Sequence, residues 1–257
     1  MNNLIIGHRG FVGSNLGRQI PNAVGVGRAE IASIAGLTFG DIYCAAPQAK
    51  KWWANKNPDQ DKQEVDNLIE SCRQVSCTGH FVLFSTVDIY DPPTGKTEND
   101  LPSSHAHPYG AHRFHLEQCI LDHFRSRTKV IRLPALVGQG LKKNIIYDLL
   151  NNNNVELINA NSSFQWFNLD FLDKVLKIAF HLQGSHLLNI ASEPLPTEDL
   201  VRTLFPYDID RLNWQGPSIC YDIRTIYGQS DKPYLFSKEE VLESHLTPFI
   251  MAETAKR

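Results

Sequence analysis

Three glycines near the start of the chain carry the first recognisable chemistry. Gly7, Gly10 and Gly13 stand in the segment Gly7-His8-Arg9-Gly10-Phe11-Val12-Gly13, after the apolar run Leu4-Ile5-Ile6 and before a helical pattern opening at Phe11. In a strand-turn-helix, such spacing lets Gly7 make the tight turn, Gly10 bring backbone close to a pyrophosphate, and Gly13 pack the helix onto the strand. The free N–H groups and positive dipole end of that helix then face phosphate. The turn therefore predicts a dinucleotide site, with Gly7, Arg9, Gly10, Phe11, Val12 and Gly13 in contact with the cofactor. The choice of dinucleotide hangs on the end of the second strand, where NAD enzymes usually set a carboxylate against the ribose. That strand closes as Val26-Gly27-Arg28. With Arg28 there and Arg9 inside the turn, a 2′-phosphate is matched better than a free hydroxyl. The expected cofactor is NADP, with NAD as the second candidate; the alternative is that both arginines merely face solvent.

A second set of reactive residues closes one strand and opens one helix. Phe84-Ser85-Thr86-Val87-Asp88-Ile89-Tyr90 ends the fourth strand, and Pro108-Tyr109-Gly110-Ala111-His112-Arg113 begins a long helix. Together with the glycine turn, these segments resemble the short-chain dehydrogenase/reductase superfamily in its extended, sugar-nucleotide-modifying branch. The Gly-His-Arg-Gly-x-Val-Gly-Ser wording is similar to that of the GDP-fucose synthases. The resemblance spans most of the chain and weakens in the C-terminal third. It places the family tyrosine on Tyr109 and the family Ser/Thr on Thr86. A tyrosine hydroxyl can give a proton to, or take one from, a sugar oxygen as hydride moves at the nicotinamide, while a neighbouring hydroxyl orients that oxygen. Arg113 stands where the family has lysine; it keeps the charge and can bond ribose hydroxyls, but it cannot give up a proton. Asp88 falls where related dehydratases and epimerases carry an acid/base group, and a carboxylate there can move a proton α to a keto group. A solvated acid at a strand end is the other reading of Asp88. Val87 lacks the acid that dehydratases carry, which favours reduction or epimerisation.

The resemblance also assigns to the cofactor Ala45 and Ala46, where the third strand ends, and Pro134 and Leu136 in the segment Arg132-Leu133-Pro134-Ala135-Leu136-Val137-Gly138. Phe167-Asn168-Leu169-Asp170 looks like the family's entry to the substrate lobe. The activity implied is NAD(P)-dependent keto-reduction or epimerisation of a nucleotide-activated sugar. The implied assembly is a homodimer joined through the Tyr109 helix and its neighbour. Because Arg113 replaces the lysine, a non-catalytic NADP-binding sensor or scaffold is the rival.

Other candidates read as structural. His105, His107, His112 and His115 crowd around Tyr109, yet no carboxylate or cysteine completes a ligand set in the sequence, so no metal is expected. His112 is the one placed to approach the pocket. Trp52-Trp53 and Phe164-Gln165-Trp166-Phe167 suit packing more than base stacking. Lys142 and Lys143 either meet a diphosphate or form a solvated helix start. The scattered, odd-numbered Cys44, Cys72, Cys77, Cys119 and Cys220 read as free thiols rather than a disulfide framework.

The elements that must position these residues follow from patterning. The chain has 257 residues, 42% of them hydrophobic, enough for a full α/β core. Short unbroken apolar runs alternate with amphipathic segments, which implies a Rossmann-type, doubly wound parallel sheet with a small C-terminal substrate lobe. Residues 1–137 with 168–193 are expected to form the dinucleotide-binding core, and 138–167 with 194–257 the lobe. The stretch from Arg28 to Asp41 is short for a strand-helix-strand crossing, so the adenine wall must be built differently. A net charge of -3 from interspersed acids and bases argues against nucleic acid as a partner. The apolar runs fall far short of the roughly 20 residues of a membrane span, and the start carries no signal-peptide pattern. A cytoplasmic protein that binds a small molecule and no membrane is expected.

Overall fold

Six of the apolar runs become the strands of one sheet in the computed structural model, which describes residues 1–102, 107–182, 184, 186–228 and 232–256. They are β1 (Leu4–Ile6), β2 (Val24–Val26), β3 (Ile42–Cys44), β4 (Phe81–Thr86), β5 (Thr128–Leu133) and β6 (Leu187–Asn189). Their order is β2-β1-β3-β4-β5-β6, and every neighbouring pair is parallel. The helices of this unit are α1 (Phe11–Gly17), α2 (Lys51–Lys56), α3 (Pro58–Arg73), α4 (Pro108–Phe124) and α5 (Leu172–His181).

Alternation along the strands explains why these runs are apolar throughout. Leu4, Ile6, Ile42, Cys44, Phe81 and Leu83 join Val65, Ile69 and Cys72 of α3 and Leu116 and Ile120 of α4 in one core. The residues between them, Ile5, Tyr43 and Val82, are buried as well. In β1 and β3, covered on both faces, no position is left for a solvated side chain, whereas Val24 on the edge strand β2 is exposed. At one end of the sheet, α5 is tied to the segment after α1, where the Asp173 N–H donates to Gln19 at 3.0 Å. The doubly wound α/β architecture expected from the sequence is the one observed.

The chain goes from β1 outward to β2 and then returns past β1 to β3, which makes the carboxyl ends of β1 and β3 the switch point where such sheets open a crevice. Between β2 and β3 the 3₁₀ turn Ile31–Ile34 and the short strand Thr38–Phe39 stand in place of a full helix. The helix α3 stops at Arg73, and Ser76–Cys77 just beyond it pairs with Thr38–Phe39 as a separate two-stranded ladder.

The molecule divides into two units, Met1–Pro92 with Asp100–Leu133 and Leu172–Asn189, and Pro93–Asn99 with Pro134–Phe171 and Ile190–Arg257. The first unit's stretch from Asp100 stops at Leu133, and its last stretch is Leu172–Asn189; 93–99 belongs to the second unit, where Thr94–Lys96 pairs with Asp222–Ile223. Within the second unit, Ala135–Val137 runs parallel to Trp166–Asn168. The helix Ile145–Asn151 starts on the Asn144 side chain, which accepts from the Tyr147 N–H at 3.0 Å, and ends on Asn152 in the left-handed conformation. Trp166 and Phe167 are buried, and the Gln165 amide bonds Ile223 on both its N–H and carbonyl sides, so this aromatic segment is core. Lys142 and Lys143 are exposed ahead of the Ile145 helix.

Two glycines of α1 make opposite predictions. A Cβ on Gly13 would lie 2.2 Å from the Gly7 carbonyl oxygen, whereas one on Gly17 would meet only Ile5 Cδ1 at 3.9 Å. Gly13→Ala is expected to cost about 1–3 kcal/mol in urea denaturation through overpacking. Gly17→Ala should instead gain about 0.4–1 kcal/mol by restricting the unfolded chain.

Candidate active site

The glycine turn is built by close backbone approach. Gly7 takes φ +85°, and a Cβ there would fall 2.7 Å from the carbonyl of Ala45 and from Cα of Ala46. The Gly7 N–H donates to Val26 at 2.8 Å and the Gly10 N–H to Gly7 at 2.9 Å, so the turn is closed on itself at the end of β1. Ala45 N–H donates to Ile6 at 2.8 Å, continuing β3 alongside. The structure thus brings Gly7, Gly10, Gly13, Ala45 and Ala46 together at the switch point, with Phe11 and Val12 opening α1. Pro134 and Leu136 lie in the second unit, where the Leu136 carbonyl accepts from Asn144 at 2.8 Å.

The two arginines expected to hold a 2′-phosphate both have carboxylate partners. Arg9 donates to Glu30 at 2.6 Å and Arg28 to Glu64 at 3.3 Å, all four side chains being at least partly exposed. Glu30 also accepts from the Gly27 N–H at 2.9 Å, which brings a carboxylate to the end of β2 after all. The Arg9 hydrogen bond, with that of Gly27, holds the Glu30 carboxyl below the usual range. Glu64 in turn accepts from the Gln48 side chain at 3.0 Å. Neither glutamate was picked out from the sequence, since Glu30 reaches Gly27 only through the 3₁₀ turn and Glu64 arrives from α3.

At the carboxyl end of β4, Thr86 and Tyr109 meet. The Thr86 side chain hydrogen-bonds the Tyr109 phenol and accepts from the Asp88 N–H at 3.1 Å. Tyr109 is 7% exposed, and burial pushes its hydroxyl up to about 12; the Arg113 cation and the Thr86 bond pull it down, while the charges of Asp88 and Asp61 oppose them. The Arg113 guanidinium lies over the Tyr109 ring, 4.2 Å from its centroid. Asp88 is not a lone solvated acid, because Lys51 of α2 holds its Oδ1 at 2.8 Å. One turn further along α2, Asn55 accepts the Tyr109 N–H at 3.0 Å. A Cβ on Gly110 would stand 2.3 Å from the Asp88 carbonyl oxygen, so the head of α4 can sit this close to β4 only with glycine there.

What places Arg113 is Asp61. This carboxylate, 1% exposed on α3, takes a short hydrogen bond from Arg113 and one of 2.8 Å from His112 Nδ1, while the other Arg113 terminal nitrogen donates to the Gln48 carbonyl at 2.6 Å. His112 therefore turns to α3 and serves Asp61. A second buried pair lies one turn on: Arg132 of β5 bonds both oxygens of Glu117, and Ser85 donates to Glu117 at 2.5 Å. Arg132 also donates to the Tyr90 hydroxyl at 2.6 Å. The backbone on either side of Thr86 is thereby anchored to α4 and β5. His115 pairs with Asp66 at 3.2 Å on the outer face, and His105 lies outside the described residues. Among the described residues, no group of three or more His, Cys, Asp or Glu side chains is arranged to hold a metal. No described helix is long and apolar enough to cross a membrane.

Sequence reasoning missed Lys51, Asp61 and Glu117. Asp61 had a signal: it shares a helical stripe with the buried Val65, Leu68 and Cys72, and a charge on such a stripe demands a buried partner. Glu117 continues the stripe of Tyr109 and Arg113 on α4 in the same way.

These residues fall within a recognised sequence pattern. Residues 41–162 match the NAD dependent epimerase/dehydratase family. The matched segment contains Lys51, Asp61, Thr86, Asp88, Tyr109, Arg113 and Arg132, and it begins after the short crossing from β2 to β3. The family resemblance read from the sequence is borne out. Among solved structures, the chain is similar to a UDP-N-acetylglucosamine 4-epimerase from Methanobrevibacter ruminantium, solved with UDP-N-acetylmuramic acid, at TM-score 0.74 and 12% identity, over 100% of this chain and 99% of that one. It is similar to a dTDP-4-dehydrorhamnose reductase from Bacillus anthracis, solved with NADP, at TM-score 0.72 and 14% identity over 98% and 99% of the two chains. The Yersinia enterocolitica dTDP-4-dehydrorhamnose reductase aligns at TM-score 0.71 and 13% identity over 98% and 99%. No curated protein matches the chain by sequence.

The clamp on Arg113 makes a stability prediction. Asp61→Asn leaves a buried guanidinium without its counter-charge, and unfolding by guanidinium chloride should show a loss of about 3–5 kcal/mol.

Proposed function

We propose that this protein is an NAD(P)-dependent oxidoreductase or epimerase acting on a nucleotide-activated sugar, working as a cytoplasmic homodimer. The observation that carries the reading is the buried Tyr109 hydroxyl bonded to Thr86, with the Arg113 guanidinium against the ring. Solved structures with the same fold belong to sugar-nucleotide epimerases and reductases, which supports the substrate class.

The site fits a dinucleotide in two respects. The turn from Gly7 to Gly13 leaves no room for side chains where strand and helix backbones meet. Arg113 Nε is buried without a hydrogen-bond partner among the described residues, and a ribose hydroxyl is an acceptor of the kind it lacks. When bound, NAD(P) supplies or accepts the hydride. Tyr109, a phenol that is protonated at neutral pH and that burial keeps so, donates its proton to the sugar oxygen in the reductive direction. Thr86 orients that oxygen, and Arg113 stabilises the phenolate left behind without itself exchanging a proton. Asp88, kept beside Lys51, is the second acid/base group if the reaction is an epimerisation.

Tyr109→Phe is expected to lower turnover of a 4-keto sugar nucleotide by about 10²–10⁴-fold while leaving NADPH affinity intact. Unchanged turnover would remove Tyr109 from the chemistry. Wild-type protein that binds NADPH without turning over any keto-sugar nucleotide would favour the sensor reading.

NADP remains the preferred dinucleotide in this proposal, but by a smaller margin than the arginines alone imply, since Glu30 and Glu64 balance them. Arg28→Ala should weaken NADPH binding by about tenfold, the loss of one charged hydrogen bond, with NADH affinity unchanged. Glu30→Gln should raise the NADPH-to-NADH affinity ratio. Equal affinities in wild type and Arg28→Ala would refute the phosphate assignment.

A further inference from the structure

The head of α4 is capped by an unusual residue. Pro108 occupies the first helical position, Asn55 takes the Tyr109 N–H, and the Gly110 N–H donates to His107 Nδ1 at 3.1 Å. Serine, threonine, aspartate and asparagine are the ordinary caps, and none of them loses its acceptor near neutral pH. An imidazole does, because protonation puts an N–H on both ring nitrogens and removes the lone pair the cap requires. The resulting cation would also sit at the positive end of the helix dipole.

The surroundings favour the neutral ring. His107 is partly buried, its ring tilted against Tyr109 at 6.2 Å between centroids. Lys51 faces it from α2, Asp88 and Asp91 from the turns after β4, and Tyr109 and Arg113 follow on its own helix. Asp88 is held by Lys51, which blunts its pull on the ring. Burial first, then Lys51, hold the imidazole below its ordinary 6.5, against the opposing pull of Asp88 and Asp91. Because folding disfavours the protonated form, the cap is complete above the ordinary imidazole range and is lost as pH falls through the lowered value. Gly110, whose N–H the cap holds, lies close to the turn after β4, since a Cβ there would fall 2.3 Å from the Asp88 carbonyl oxygen.

We propose that His107 is a pH-sensitive positioning residue: its neutral imidazole caps α4 and holds Tyr109 against Thr86, and its protonation releases both. The catalytic consequence rests on the reading of Tyr109 as acid/base; the conformational one does not.

The test follows the Gly110 amide of the full-length, ¹⁵N-labelled protein by NMR, with the His107 ring resonances, from about pH 8 to about pH 5. After correction for intrinsic exchange, protection of Gly110 should fall by about fivefold, the usual worth of a cap, with the midpoint of the His107 ring. His107→Asn should keep Gly110 protected across the range, and His107→Ala should leave it unprotected at every pH. Lys51→Met, which keeps the cap itself, should move the shared midpoint upward. A Gly110 amide that does not follow the ring, or a transition that survives in His107→Asn, overturns the switch. If the amide behaves as expected but no turnover is found, only the catalytic reading fails; where turnover is found, its acid limb should be missing in His107→Asn.

Discussion

The site depends on one buried carboxylate. Asp61 sits on a stripe of α3 that otherwise packs into the core, and it is tolerated there because Arg113 and His112 both donate to it. Burying an ion pair is weak evidence of stability in itself, since desolvation consumes most of the attraction. Its worth lies in register. The setting of α4 that brings Arg113 to Asp61 and the Gln48 carbonyl together also lays the guanidinium against the Tyr109 ring. The pair between Glu117 and Arg132, one turn along the same helix from Arg113, joins α4 to β5.

Fixing α4 in this way sets the charges around the phenol. Tyr109 is pushed up by burial and pulled down by Arg113 and Thr86, with Asp88 opposing. Lys51 pairs with that opposing charge. Two cations therefore meet here: a guanidinium that stays charged and locked against the ring, and an ammonium that reaches Asp88 from α2. The same logic of balanced charge governs the corner at β2, where two arginines and two glutamates cancel.

Much of this was legible in the sequence. The strands were visible as mainly apolar runs because the sheet is covered on both faces; Lys129 and Arg132 of β5 are buried there with partners of their own. The glycine turn was visible because its spacing serves backbone contacts that no side chain permits, and the short crossing after Arg28 announced the missing helix. Thr86, Asp88, Tyr109 and Arg113 were singled out because the family resemblance lays its site residues on them, and in the structure Thr86 and Arg113 both lie against Tyr109. The ladder beyond α3 was not legible, since nothing local says that Ser76–Cys77 will pair with Thr38–Phe39.

The sequence by itself determined the architecture, the dinucleotide turn and the residue types of the site, because each is written in local periodicity or spacing. Only the tertiary structure decided the partners: Asp61 for Arg113, Lys51 for Asp88, Glu30 for Arg9 and Glu64 for Arg28. Each of these pairs joins segments separated along the chain, and attraction between charges depends on distance in space and on the water removed between them. Neither quantity exists until the helices have packed.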